Sequence, residues 1–134
     1  MIRANSEERH RHAYSAGPDW PDAEFPTGER CYIIEMHNNP DDEGCSIARA
    51  RVKPGITTQL HALHGTIERY VILEGEGSVE IGGSEPAVVR ALDVVFIPAG
   101  ASQRIANTGH SDLIFLCVCT PRFRPERYAL KEAC

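Results

Sequence analysis

The chain has 134 residues and a formal net charge of −5 at neutral pH. Hydrophobic residues make up 42% and charged residues 25%, which is typical of a globular chain long enough for one domain with a single core. The acidic balance argues against a nucleic acid or an anionic membrane as the main partner, and no apolar run is long enough to span a bilayer.

The first thirty residues predict an irregular arm. They contain three prolines and two glycines and show no sustained hydrophobic period. The segment also lacks the apolar core of a signal peptide, which predicts a cytoplasmic protein. The arm is a candidate cover or swapped strand at a sheet edge, and we expect a homodimer that loosens when residues 1–30 are removed.

Nine short segments with a strand pattern follow the arm, separated by turn signals such as the NPDDEG of residues 39–44. The segments cover residues 31–38, 45–52, 57–63, 67–73, 77–83, 86–92, 93–100, 102–109 and 112–120. This pattern predicts one all-β domain over residues 31–121, an antiparallel sandwich or barrel. A helical pattern is confined to residues 124–133, so a short helical tail is expected within residues 122–134.

The five cysteines predict no zinc knuckle and no thioredoxin-like pair, because no two of them are separated by two residues. Cys117 and Cys119 alternate within an apolar strand pattern and therefore share one face of that strand. We expect them to be buried, reduced thiols.

Two motifs in the β pattern resemble those of the cupin family. The first cupin motif reads G-x5-H-x-H-x3,4-E-x6-G, and Gly55, His61, Glu68 and Gly75 match it at the required intervals. The second reads G-x5-P-x-G-x2-H-x3-N. Its proline, second glycine, histidine and asparagine positions fall on Pro98, Gly100, Gln103 and Asn107, while Leu92 replaces its first glycine. The resemblance implies a jelly-roll β-barrel with a site inside it, in a protein that is usually a homodimer.

The resemblance also implies a metal site that this chain keeps only in part. In cupins two histidines and the glutamate of the first motif, with the histidine of the second, hold a divalent ion. Here His61 and Glu68 match two of the four positions, whereas Leu63 and Gln103 occupy the other two. Tyr70 shares a strand face with Glu68 and, with Leu63 and Asn107, is a candidate cavity-lining residue.

Strand alternation indicates which neighbouring residues could replace the two missing metal ligands. Gln59, His61 and Leu63 point to one side of an extended strand, and His64 points to the other unless the strand ends at Leu63. A Gln-x-His pair resembles the ligand arrangement of phosphomannose isomerases, which are themselves cupins. The candidate metal ligands are therefore His61, Glu68 and Gln103, with Gln59 or His64 as a fourth.

Two alternatives stay open at this site. One is a weak divalent site for zinc, nickel, manganese or iron(II), and the other is a hydrogen-bonded polar cluster of His61, Glu68 and Gln103. We expect a cupin that binds a small polar molecule, such as a carbohydrate or metabolite. Any catalysis would be isomerase-like or oxygenase-like, with a metal-free binding or sensory module as the alternative function. No catalytic residue is assigned.

Overall fold

The computed structural model describes residues 24–132, which form two antiparallel sheets. The six-stranded sheet has the order β1-β2-β3-β10-β5-β8 and the five-stranded sheet the order β11-β4-β9-β6-β7. The strands are β1 (Phe25–Pro26), β2 (Tyr32–His37), β3 (Ser46–Val52), β4 (His61–Leu63), β5 (Ile67–Glu74), β6 (Glu76–Ile81), β7 (Ala87–Arg90), β8 (Val94–Ile97), β9 (Gln103–Asn107), β10 (Leu113–Thr120) and β11 (Tyr128–Leu130). The predicted all-β, antiparallel architecture is confirmed.

The hydrophobic core lies between the two sheets. Alternating apolar residues on the strands supply it, as a period of two requires when one face of each sheet is buried. Its largest fully buried aliphatic side chains are Ile34, Val52, Ile72, Ile97, Ile105 and Leu113. His61 of β4 and Glu68 of β5 are buried polar side chains beside this core.

The C-terminal segment differs from the expected short helix. Only one 3-10 turn forms, at Pro125–Arg127, and the chain then continues as β11. β11 pairs antiparallel with β4, with Tyr128 opposite Leu63 and Leu130 opposite His61. Pairing satisfies the backbone groups on the open edge of β4, and this long-range gain overrides a local helical pattern.

The arm is described from residue 24 onward, and this part is attached to the six-stranded sheet. β1 pairs with β2, and Glu24 accepts hydrogen bonds from Arg49 and Arg51 of β3. Residues 1–23 lie outside the described residues, so the predicted swapped strand and homodimer stay predictions. Large exposed apolar side chains lie on the outer strands β7 and β8 and the turn between them, namely Val88, Leu92, Val94 and Phe96.

Gly75 joins β5 to β6 in a conformation that favours glycine, with φ at +89°. A Cβ at this position would lie 2.8 Å from the Asp112 carbonyl oxygen and 3.0 Å from the Leu113 Cα atom. We expect Gly75→Ala to lower the free energy of unfolding by about 2 kcal/mol or more, because both the backbone angle and the contact are unfavourable. Urea denaturation measures the change.

Gly28→Ala is the matched control for that substitution. No heavy atom lies within 4 Å of a Cβ built on Gly28, and its φ is outside the left-handed region. Equal unfolding free energies for the two alanine variants would contradict the steric argument.

Candidate functional site

A cavity of about 130 Å³ opens between the two sheets at the end of the barrel that carries His61 and Glu68. A smaller cavity of about 30 Å³ continues inward toward Tyr70 and Phe115, sharing Glu29, His61 and Glu68 with the first. The outer cavity is lined by Phe25, Thr27, Glu29, Ile33, Glu35, Ser46, Ala48, His61, Leu63, Glu68, Cys117, Cys119, Phe123 and Tyr128. Phe25 and Glu35 are exposed, which places them at the mouth.

Strand register explains why these side chains meet. On the six-stranded sheet Glu68 of β5 lies opposite Cys119 of β10, which lies opposite Ser46 of β3. Residues two positions away along each strand share the same face, so Tyr70, Cys117 and Ala48 follow on the same wall. The five-stranded sheet supplies His61 and Leu63 from β4 and Tyr128 from β11 as the facing wall.

The His61 ring is held in one orientation. Its Nδ1 lies 2.8 Å from the Gln59 carbonyl oxygen, and its ring stacks on Tyr128 with centroids 4.7 Å apart. A carbonyl oxygen only accepts, so Nδ1 carries the hydrogen, and in neutral His61 the Nε2 atom is an acceptor. Nε2 lies 4.0 Å from Glu29 Oε2, across the cavity that both residues line.

Glu68 is buried with one carboxylate oxygen lacking a partner. The residue is 7% exposed, and its Oε1 has no hydrogen-bond partner among the described residues. Its Oε2 has only a long contact, 3.8 Å, from the Cys119 thiol. Burial raises the pKa of Glu68 to about 7.

Gln103 lies behind Glu68 and is fully buried, opposite His61 in the pairing of β4 with β9. Its Oε1 accepts a hydrogen bond from the Tyr70 hydroxyl, whereas its Nε2 has no partner among the described residues. The Tyr70 ring in turn packs on Phe115, with centroids 4.5 Å apart. Gln103 is therefore a buried support for this end of the cavity, with its oxygen already used.

The other predicted site residues have different surroundings. His64 is exposed after the end of β4, and its backbone N–H donates to the Arg127 carbonyl. Gln59 precedes β4, and its Oε1 accepts a hydrogen bond of 2.5 Å from the Tyr128 hydroxyl. Asn107 lies outside the cavity lining, because its amide donates to the Val52 and Ser111 carbonyls and so fixes a turn.

Most of the lining residues were absent from the sequence-based site, and two of these, Glu29 and Tyr128, lie beside His61. Glu29 comes from the predicted irregular arm, where its N–H donates to the Thr27 hydroxyl and its carbonyl accepts from the Gln59 N–H. Burial raises the pKa of Glu29, and the nearby His61 partly offsets this. Tyr128 comes from the predicted helical tail. Both reach the site by long-range contacts that no local pattern signals.

The cavity thiols behave as buried structural cysteines. Burial raises the pKa of both Cys117 and Cys119 well above the ordinary range of a thiol. Cys31, Cys45, Cys117 and Cys119 are all free, while Cys134 lies outside the described residues. Protonated thiols are weak nucleophiles and weak metal ligands. Cys117 and Cys119 therefore shape the cavity wall and do not act as reactive groups.

The residues present do not fit the four-ligand metal shell that the motifs imply. Leu63 supplies no donor atom, and the oxygens of Gln103 and Gln59 are bound by tyrosine hydroxyls. Within residues 24–132, no three His, Cys, Asp or Glu side chains are grouped so that they could hold a metal ion. Of the predicted ligands, only His61 and Glu68 keep free donor atoms on the cavity wall, because His64 is exposed and outside the lining; two ligands are too few for tight binding.

The fold and cavity define a small double-sheet β-barrel with an internal ligand-sized site. A family model described as "Cupin domain" matches residues 48–119, more than half of the chain. The chain therefore belongs to the cupin family, which confirms the resemblance of its two motifs. Within residues 24–132 there is no helix long and apolar enough to cross a membrane.

Sequence relatives agree with this assignment. The chain is 42% identical over 83 residues to a protein named "Oxalate-binding protein" from Thermotoga maritima, covering 62% of this chain and 64% of that protein. It is 35% identical over 87 residues to an uncharacterized protein from Methanocaldococcus jannaschii, covering 65% and 69% respectively. The match thus spans less than two thirds of the length of the first relative.

Solved structures show the same fold. A protein from Thermotoga maritima described as a predicted oxalate decarboxylase superposes with a TM-score of 0.71 and 26% identity, covering 79% of this chain and 98% of the other. An uncharacterized protein with a double-stranded β-helix domain from Klebsiella pneumoniae gives a TM-score of 0.73 and 17% identity, covering 90% and 100%. The second likeness, at this low identity, concerns the fold alone.

Proposed function

We propose that this cupin binds a small polar molecule in the cavity between Glu29, His61 and Glu68, without the family's metal shell. The observation that carries this function is the unpartnered Oε1 of Glu68, a buried atom on the wall of a cavity that opens to the surface. A buried carboxylate without a donor is unfavourable, and a ligand that supplies the donor removes the penalty. The cavity of about 130 Å³ accommodates roughly four waters at about 30 Å³ each, so the ligand is small.

The name of the Thermotoga maritima relative suggests oxalate as a ligand. The cavity of this chain does not favour free oxalate, because its lining contains the carboxyl groups of Glu29, Glu35 and Glu68 and neither lysine nor arginine. A dianion would meet like charges in a partly desolvated site, and a metal ion that could bridge them lacks its ligands here. We therefore propose that this chain binds a different ligand from the one that the relative's name suggests.

The contacts support binding rather than a particular reaction. A divalent ion of zinc, nickel, manganese or iron(II) would rely on His61 and Glu68 with at most one further carboxylate. Isomerase-like or oxygenase-like chemistry would need such an ion with open positions, and the depleted donor set weighs against both. A metal-free binding or sensory module is the function that these side chains support best.

A matched pair of histidine variants tests the binding site. We expect His61→Phe to keep the stacking on Tyr128 but to remove the Nε2 acceptor, lowering ligand affinity at least tenfold. His64→Phe changes an exposed histidine three residues later and should leave affinity within twofold. Saturation-transfer NMR with a panel of small polyols, amino alcohols and hydroxy acids identifies the binders, and protein-observed titration then gives dissociation constants for each variant.

The panel also gives the outcome that would refute the site. Binding that His61→Phe and His64→Phe weaken equally would place the ligand outside the cavity. A panel in which no compound perturbs the amide signals of β5 and β10 would contradict the proposed function itself.

A further inference from the structure

Carboxyl groups outnumber basic groups among the ionisable side chains that line the cavity. Glu29, Glu35 and Glu68 are carboxyl groups, His61 is the single imidazole, and no lysine or arginine is among the lining residues. The nearby arginines are bound elsewhere: Arg30 pairs with Glu132, and both Arg122 and Arg124 pair with Glu43. Among the described residues that line the cavity, His61 is thus the one basic group beside three carboxyl groups.

Three of the polar groups that face the cavity, those of Glu68, His61 and Glu29, offer acceptor atoms. Glu68 is more than nine-tenths buried and its Oε1 accepts from no described residue. His61 uses its Nδ1 hydrogen on the Gln59 carbonyl, which leaves Nε2 as an acceptor in the neutral ring. Glu29, whose side chain is 29% exposed, directs Oε2 to within 4.0 Å of that nitrogen. A complementary ligand must bring hydrogen-bond donors.

The remaining wall is apolar and partly aromatic. Phe25 and Phe123 line the outer part of the cavity, and Tyr128 lies beside His61. Aromatic faces attract cations as well as apolar groups, and an ammonium group offers three donors with a positive charge. A neutral hydroxyl compound would supply donors but leave the carboxylate charge uncompensated.

We propose that the ligand of this cavity is a small organic cation, whose ammonium group donates to Glu68 and Glu29 and whose body lies against the aromatic wall. This inference rests on the proposed function and adds the chemical class of the ligand to it.

Two matched series of compounds test the charge preference directly. The short series is ethanolamine, ethylene glycol and glycolate; the longer series is butylamine, 1-butanol and butyrate. Each is titrated into the full chain after treatment with a chelator and dialysis, and amide shifts in β5 and β10 report binding. We expect each amine to bind at least tenfold more tightly than the matched alcohol, and the carboxylates not to bind.

Variants locate the effect at the carboxyl groups. Glu68→Gln keeps the shape of the side chain and should lower the affinity for butylamine at least tenfold while changing that for 1-butanol less than twofold. Glu29→Gln should also lower the affinity for the amines. It replaces Glu68→Gln as the test if that variant folds poorly. Glu85→Gln changes an exposed acid outside the cavity lining and should leave every dissociation constant unchanged.

Several outcomes would overturn the inference. Tighter binding of the carboxylate members, or amine affinity that Glu68→Gln leaves intact, would exclude an ammonium group at Glu68. A further measurement adds zinc alone to the chelator-treated protein. If zinc binds tightly, and both Glu68→Gln and His61→Phe abolish that binding, the cation is a metal ion. If the inference fails but polyols or hydroxy acids bind in a His61-dependent way, the proposed function stands; if no compound binds, both fail.

Discussion

Replacing Glu68 with glutamine should make the protein more stable at pH 8, by up to about 3 kcal/mol, and change its stability little at pH 5. Burial raises the pKa of this carboxyl group from 4.5 to about 7 in the folded state. Between these two values the folded chain binds more protons than the unfolded chain, so the free energy of unfolding falls as pH rises from about 4.5 to about 7. Ionisation of the buried group causes that loss, and glutamine does not ionise.

Guanidinium denaturation at pH 5, 6, 7 and 8 measures the difference, with Glu85→Gln as the exposed control. Some pH dependence should persist in Glu68→Gln, because burial also raises the pKa of Glu29 and of Glu35, which line the same cavity. Parallel stability curves for the parent chain and Glu68→Gln would show that Glu68 ionises freely, contrary to its burial.

The sequence predicted the part of the site that lies on regular strands. Alternation along an extended chain placed His61 and Leu63 on one face of β4 and Glu68 and Tyr70 on one face of β5, and the structure has both pairs on cavity walls. The spacing of the two motifs supplied the fold. These features depend on residues close together in sequence, where strand geometry is a sufficient guide.

The same alternation failed where the strand was shorter than its pattern. Gln59 was expected beside His61, but β4 begins only at His61, and the Gln59 side chain instead binds the Tyr128 hydroxyl. Glu29 and Tyr128 come from segments with no strand pattern and are positioned by contacts with the edge region of β4. Which segments reach the site depends on which sheet edge is left unpaired in the folded chain. A single sequence does not show this.

The two motifs also do not reveal the charge of the cavity. Matching His61 and Glu68 to a metal shell directs attention to missing ligands, whereas the added Glu29 changes the character of the cavity as a whole. The three carboxyl groups and single imidazole on the lining are the charge pattern on which the proposed cation preference rests.

The double variant Leu63→His with Gln103→His should bind zinc or nickel at least a hundredfold more tightly than the parent chain. Leu63 lies on the cavity wall two residues after His61, and Gln103 pairs directly opposite His61 on β9. Both substitutions therefore add imidazole close to His61 and Glu68, and would complete the three-histidine, one-glutamate set that cupin motifs specify. Calorimetric titration of chelator-treated protein at neutral pH measures the gain.

Three controls make that result specific. Each single variant should bind metal with intermediate affinity, since each adds one ligand. Leu73→His places the same substitution on β5 outside the cavity lining, at a residue that is 39% exposed, and should bind metal no better than the parent. Thermal unfolding must accompany the titration, because Gln103→His removes the acceptor of the Tyr70 hydroxyl. If the folded double variant and the parent bind zinc equally weakly, then positions 63 and 103 do not converge on Glu68, and the placement of the cupin ligand set in this barrel is wrong.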